Sequence, residues 1–97
     1  MKIAICSGKI DSEIIGGFLK EYFDGNGMET EIINYESGEE LLSYMETVRN
    51  CDAVYIDSYL KKMFGSDVAK ILREKGYGGH IFLIGQKEES GTVRNLP

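Results

Sequence analysis

The chain alternates between two hydrophobic periods, and that alternation restricts its fold more than any other feature of the sequence. Lys2 to Cys6 ("KIAIC") is a short, nearly continuous apolar run rich in isoleucine, the pattern of a strand covered on both faces. Behind it Ile14, Ile15, Phe18, Leu19, Tyr22 and Phe23 recur at the helical period, with Asp11 or Ser12 able to cap the start and Gly25 and Gly27 marking the end. Glu29 to Asn34 predicts a shorter, more polar strand, suited to a sheet edge. Ser37 followed by Glu40 is a capping box that opens a helix carrying Leu41, Leu42, Met45 and Val48. Cys51 to Asp57 predicts a central strand, Asp67 to Lys75 a helix stopped by Gly76, and His80 to Ile84 a fourth strand. Strands alternating with helices join by right-handed crossovers into an α/β, three-layer, doubly wound parallel sheet, whose functional sites lie at the carboxyl ends of the strands. Those ends are Cys6-Ser7-Gly8, Asp57-Ser58 and Ile84-Gly85.

With 97 residues, 42% of them hydrophobic, the chain has material for one modest core and no room for a second domain. A net charge of -5 repels the phosphate backbone, so nucleic acid is not an expected partner. Cys6 and Cys51 lack a C-x-x-C spacing and a companion histidine cluster, which predicts reduced core thiols and not a disulfide or zinc site. No run approaches the ~18 apolar residues of a membrane span, and the start carries no cleavage-like region, so no membrane association and a cytoplasmic location are expected. The last segment, "GQKEESGTVRNLP", is polar and aperiodic, and divides the chain into a domain over 1–86 and a tail over 87–97 with no fifth strand.

An acid at the mouth of a buried strand must be paired or used, because a charge leaving water is costly. Asp57 is such an acid, and the stretch around it, "CDAVYIDSYLKKMFGSDVAKILREKGY", together with "MKIAIC" and "IFLIG", resembles the receiver domain of response regulators in bacterial two-component systems. Leu60, Lys61, Met63 and Gly65 after the acid resemble regulators of the Lyt type in particular. The resemblance covers roughly residues 1 to 86. It implies a flavodoxin-like receiver fold with strand order 2-1-3-4, a histidine kinase or output domain as protein partner, and Asp57 as the phosphoacceptor. In the family that carboxylate attacks a phosphoryl group beside a Mg²⁺ held by oxygen ligands.

The sequence departs from the family at the places this chemistry needs. The acid-pair positions are Ser7 and Gly8, the hydroxyl position at the end of the fourth strand is Ile84, and the lysine of a fifth strand has no counterpart. Of the family's ligands, Asp57 and the Tyr59 backbone carbonyl remain. One carboxylate in place of three loses most of its attraction for a hard cation, so no metal or other cofactor is expected. The expectation is a degenerate receiver, acting by protein contact without turnover, in which Lys9, backbone amides and water hold Asp57 as a structural acid. An active receiver phosphorylated on Asp57 is the alternative.

Other residues admit sharper and plainer readings. Cys6 before a small-residue loop resembles the phosphocysteine of sugar-phosphotransferase B components, although "KID" follows and Ser12 stands where a phosphatase would have arginine. The plainer reading is a buried thiol. Ser58, Tyr59, Lys61 and Lys62 form a loop beside the pocket, read as a solvated basic segment or a partner contact. His80 reads as a surface residue, and Phe18, Tyr22, Phe23, Tyr55 and Phe82 as core. A four-stranded receiver would leave residues 80 to 84 as an unpaired edge, which predicts self-association through that edge or another protein that completes the sheet.

Overall fold

The computed structural model of the chain describes residues 1–85 and 93–96, with Lys9, Ile10 and 93–96 described as backbone only. Its elements are β1 (Lys2–Cys6), α1 (Lys9–Gly25), β2 (Glu31–Tyr35), α2 (Gly38–Ser43), α3 (Met45–Val48), β3 (Ala53–Asp57), α4 (Gly65–Glu74), β4 (His80–Ile84) and β5 (Val93–Leu96). The sheet runs in the order β2-β1-β3-β4-β5. The first four strands are parallel and stand in the expected 2-1-3-4 order.

β5 corrects the expectation of a missing fifth strand. It pairs antiparallel with β4, Ile84 opposite Val93 and Ile81 opposite Leu96. The direction follows from length: the connection 85–92 is shorter than the dozen or so residues a parallel crossover requires. Four residues with weak alternation give little local signal, and it is the waiting hydrogen-bond edge of β4 that makes them a strand. The same pairing removes the basis for self-association through the β4 edge, since residues 81–84 already have a neighbour.

The main core lies between the sheet and the helices on one side of it. Ala4 and Cys6 of β1, Val54 and Ile56 of β3 and Ile81 of β4 meet Leu41, Val48, Val68, Ala69 and Leu72 from the helices. Tyr77 closes this core at its lower end, buried, with its hydroxyl donating to the Cys51 carbonyl at 2.9 Å. Burial pushes the Tyr77 phenol up to about 12, with the Cys51 thiol adding to the shift and Arg73 opposing it. On the other side α1 packs over β1 and β2. Ile3 and Ile5 are wholly buried beneath it.

Helix boundaries differ from the sequence reading in ways that local chemistry explains. α1 starts three to four residues early, with Gly8 in extended backbone as its N-cap and no side-chain cap. Ser12, expected as a cap, is buried inside the first turns and donates its hydroxyl to the Ser7 carbonyl at 3.2 Å. The capping box forms: Ser37 Oγ accepts from Glu40 N–H at 3.0 Å, and Glu40 reaches back to accept from the Glu36 N–H at 2.8 Å. The single helix expected after it breaks at Tyr44 into α2 and α3. Gly76 ends α4 region with φ of 89°, a left-handed backbone that glycine adopts freely.

Candidate functional site

Asp57 is the last residue of β3 and is 6% exposed. Its Oδ1 accepts the Tyr59 N–H at 2.9 Å, and Ser7 Oγ donates to its Oδ2 at a longer 3.4 Å. Ser7 is itself buried, and its own N–H donates to the Tyr35 carbonyl at 3.0 Å. The hydroxyl at the end of β1 therefore points at the acid at the end of β3. Where a second carboxylate would repel Asp57, a hydrogen-bond donor meets it.

The remaining residues singled out in the sequence fall around this pair. Gly8 lies beside it at the start of α1, exposed, with open space where a Cβ would stand. Ile84 sits opposite Asp57 in the β3–β4 register and is half-buried, and its carbonyl accepts the Ser58 N–H at 3.0 Å. Its side chain brings no hydrogen-bonding atom to the strand ends. The proposed contact of the Lys9 ammonium with Asp57 lies outside the described residues, since only the Lys9 backbone is described.

The loop 58–65 folds back on itself over the end of β3. Tyr59 and Phe64 form an antiparallel bridge, and their rings meet edge to face with centroids 6.4 Å apart. Gly65 N–H donates to the Ser58 carbonyl at 3.0 Å. Gly65 is required there: a Cβ would overlap the Asp57 carbonyl oxygen and stand 3.0 Å from the Asp57 carbonyl carbon. Leu60 and Met63 pack against the core, while Tyr59 and Phe64 remain 47% and 60% exposed beside the acid. Lys62 approaches Glu39 at 3.9 Å with both side chains mostly exposed, so the pair contributes little. The Tyr59–Phe64 aromatic pair was not singled out as a unit in the sequence. An aromatic two residues after the acid and another just before a glycine-led helix were the available signal.

The donor set does not fit Mg²⁺. A small hard cation asks for octahedral oxygen ligands with carboxylates among them, and among the described residues the end of β3 brings together one carboxylate, the Tyr59 backbone and the Ser7 hydroxyl. Among the described residues no three His, Cys, Asp or Glu side chains group as a metal site. Glu13 lines a shallow cavity with Ser12, Asn34, Glu36 and Glu40 on the β2 side.

Cys6 is wholly buried in the core. Burial, with the Asp57 and Glu40 carboxylates adding to it, pushes its thiol up to about 12, the opposite of what a nucleophilic thiolate needs. The phosphocysteine reading thereby loses its chemistry. Cys51 is likewise buried, and both thiols are free. His80 is exposed, as expected, and its ring lies 6.1 Å from that of Phe82. Phe18 and Tyr22 correct the reading of the aromatics as core, being 72% and 64% exposed. No helix among the described residues is long and apolar enough to cross a membrane.

This sheet order, with an acid at the end of β3 and helices on both faces, is the fold of response-regulator receiver domains. Solved structures share it, three of them as follows. The MaeR response regulator bound to beryllium trifluoride superposes with a TM-score of 0.74 at 21% identity, over 92% of this chain and 70% of that one. TrrA from Thermotoga maritima, in complex with Mg²⁺ and beryllofluoride, gives 0.67 at 28% identity, over 90% and 70%. A receiver domain of the Francisella response regulator 1452 gives 0.62 at 24%, over 91% and 68%. No family model and no curated protein matches the sequence.

Proposed function

We propose that the chain is a receiver-type signalling module of a two-component system in which the phosphorylation pocket is degenerate and signalling proceeds by protein contact. The observation that carries this reading is the Ser7–Asp57 pair. A hydroxyl donor occupies the position from which a receiver's acid would help hold the cation, and Gly8 beside it adds no charge. Without a divalent cation an incoming phosphoryl dianion meets the charge of the buried Asp57 carboxylate, and each pair of like unit charges about 4 Å apart repels by on the order of 4 kcal/mol at an effective dielectric constant of 20. Phosphoryl transfer depends on neutralising that charge.

Contact in place of chemistry needs a surface, and the pocket rim supplies one. Tyr59 and Phe64 present an aromatic pair beside the acid, flanked by the exposed Lys61 and Lys62. A histidine kinase or an output domain reading this rim would sense the loop 58–65 as it stands.

Mass spectrometry after incubation with acetyl phosphate and Mg²⁺ tests the proposal. The expected result is an unmodified mass. A phosphoryl adduct that disappears in Asp57→Ala would overturn it and restore the reading of an active receiver. Gly8→Asp supplies the gain-of-function arm, since its carboxylate has open space and should raise the affinity for Mg²⁺ measured by calorimetry.

A further inference from the structure

α1 ends on Asn26-Gly27, an asparagine followed by the one residue type that has no side chain. This is the least hindered setting for loss of a side-chain amide, because nothing beside the Gly27 nitrogen obstructs its approach to the asparagine carbonyl carbon. Asn34, Asn50 and Asn95 precede Tyr35, Cys51 and Leu96, whose side chains hinder the same approach. Asn26 and Gly27 are both exposed, so water and base reach them.

The fold nevertheless holds both reacting groups. Gly27 stands in the left-handed region with φ of 79°. Its N–H donates to the Asp24 carbonyl at 3.1 Å, and the Met28 N–H donates to the Phe23 carbonyl at 2.9 Å. These are the two bonds of a Schellman close to a helix. The side-chain amide, the group that would leave, donates from Nδ2 to the Tyr22 carbonyl at 2.7 Å. Asn26 has ψ of 17°, which sets the Gly27 nitrogen nearly eclipsed with the Asn26 nitrogen, whereas ring closure needs it turned to the Cβ side.

We propose that Asn26 is a deamidation site gated by this cap, closed to reaction while the three hydrogen bonds hold and converted when the end of α1 frays. The Gly27 nitrogen gives its proton to base and attacks Asn26 Cγ. The bond from Cγ to the side-chain nitrogen breaks, and that nitrogen takes a proton and leaves as ammonia. Water then opens the cyclic imide at one carbonyl or the other, giving aspartate or an isoaspartate whose backbone runs through the former side chain. A helix end opens locally at far lower cost than the whole domain, so the reaction does not wait for global unfolding. The product does not close the cap again. A carboxylate cannot donate to the Tyr22 carbonyl, and it adds negative charge beside Asp24 at the negative end of the α1 dipole, in a last turn with no basic residue.

Peptide mapping by mass spectrometry tests this independently of the chemistry at Asp57, with the full chain held at mildly alkaline pH, folded and in parallel in guanidinium chloride. The expected result is a gain of about 1 Da confined to the peptide holding Asn26, appearing about tenfold or more slowly in the folded chain than in denaturant. Isomerisation of the neighbouring Asp24-Gly25 leaves the mass unchanged and is thereby told apart. Met28→Pro removes the N–H that donates to the Phe23 carbonyl and should bring the folded rate toward the denatured one without touching the reacting pair. Asn26→Asp, the product made directly, should melt below the wild type and exchange its Gly27 and Met28 amide hydrogens faster. Equal rates in the folded and denatured chain, or a folded Met28→Pro chain reacting at the wild-type rate, would overturn the gating. Another asparagine converting first in denaturant would overturn the site. An Asn26→Asp chain that melts and exchanges like the wild type would overturn the irreversible loss of the cap.

Discussion

Replacing Gly65 with alanine would drive a methyl group into the backbone that carries the pocket. The new Cβ would overlap the Asp57 carbonyl oxygen and stand 3.0 Å from both the Asp57 carbonyl carbon and Ser58 Cα. None of these is the flexible end of a side chain, and the Gly65 N–H is tied to the Ser58 carbonyl at 3.0 Å, so the clash is relieved only by moving the start of α4 away from β3. Overpacking of this kind costs about 1–3 kcal/mol, and the helix preference of alanine returns only part of it at a first-turn position. A net loss of about 2 kcal/mol is expected, a large share of a small domain's stability. In thermal melts it corresponds to a fall of roughly 8–16 °C for a domain of this size. Gly17→Ala is the matched control, since nothing lies within 4 Å of its Cβ and it sits within α1. That substitution should stabilise by about 0.5–1 kcal/mol. Urea melts of the two variants beside the wild type decide the matter: a Gly65→Ala midpoint equal to or above the wild-type value would refute the steric reasoning.

Two further outcomes are expected. The Cys6 thiol is raised to about 12 from an ordinary value of 9.0, so above pH 9 the unfolded chain loses a proton that the folded chain keeps. Stability should be undiminished by this group below pH 9 and fall by about 1.4 kcal/mol per pH unit from there toward 12, which Cys6→Ala should flatten in urea melts run along a pH series. Ser37→Ala should cost about 1 kcal/mol by removing the acceptor for the Glu40 N–H, whereas Ser37→Asp should retain most of the stability; equal losses in both would show that the cap is not the cause.

Much of the architecture was legible in the sequence because it is locally encoded. β1, β3 and β4 announce themselves as apolar runs, the Ser37–Glu40 box fixes the start of α2, and the alternation of periods fixes a parallel sheet. Asp57 could be placed at a strand end from its own neighbours. What escaped depends on contacts between distant segments. β5 exists through the edge of β4, and its residues carry no strong pattern of their own. Ser12 looked like a cap and is instead an internal donor to Ser7, because Gly8 turns the chain into the helix one turn earlier. Phe18 and Tyr22 fit the helical period of a core face, but the period gives an angular width and not the cover available to it. The donation from Ser7 to Asp57 joins residues fifty positions apart, and only the parallel alignment of β1 with β3 brings them together.

The direction of β5 also sets where anything attached behind it must go. Leu96 stands beside Ile81, near the opposite rim of the sheet from Asp57, with Val93 beside Ile84 at the pocket's rim. A fluorophore or affinity handle attached behind Leu96 would thus leave from the rim where β1, β3 and β4 begin, about 10 Å along the strands from the level of the aspartate, at 3.3 Å for each of the three steps from Ile84 to Ile81. A reporter there would leave the acid's entrance unobstructed, whereas a strand laid the other way would have delivered the same reporter onto it.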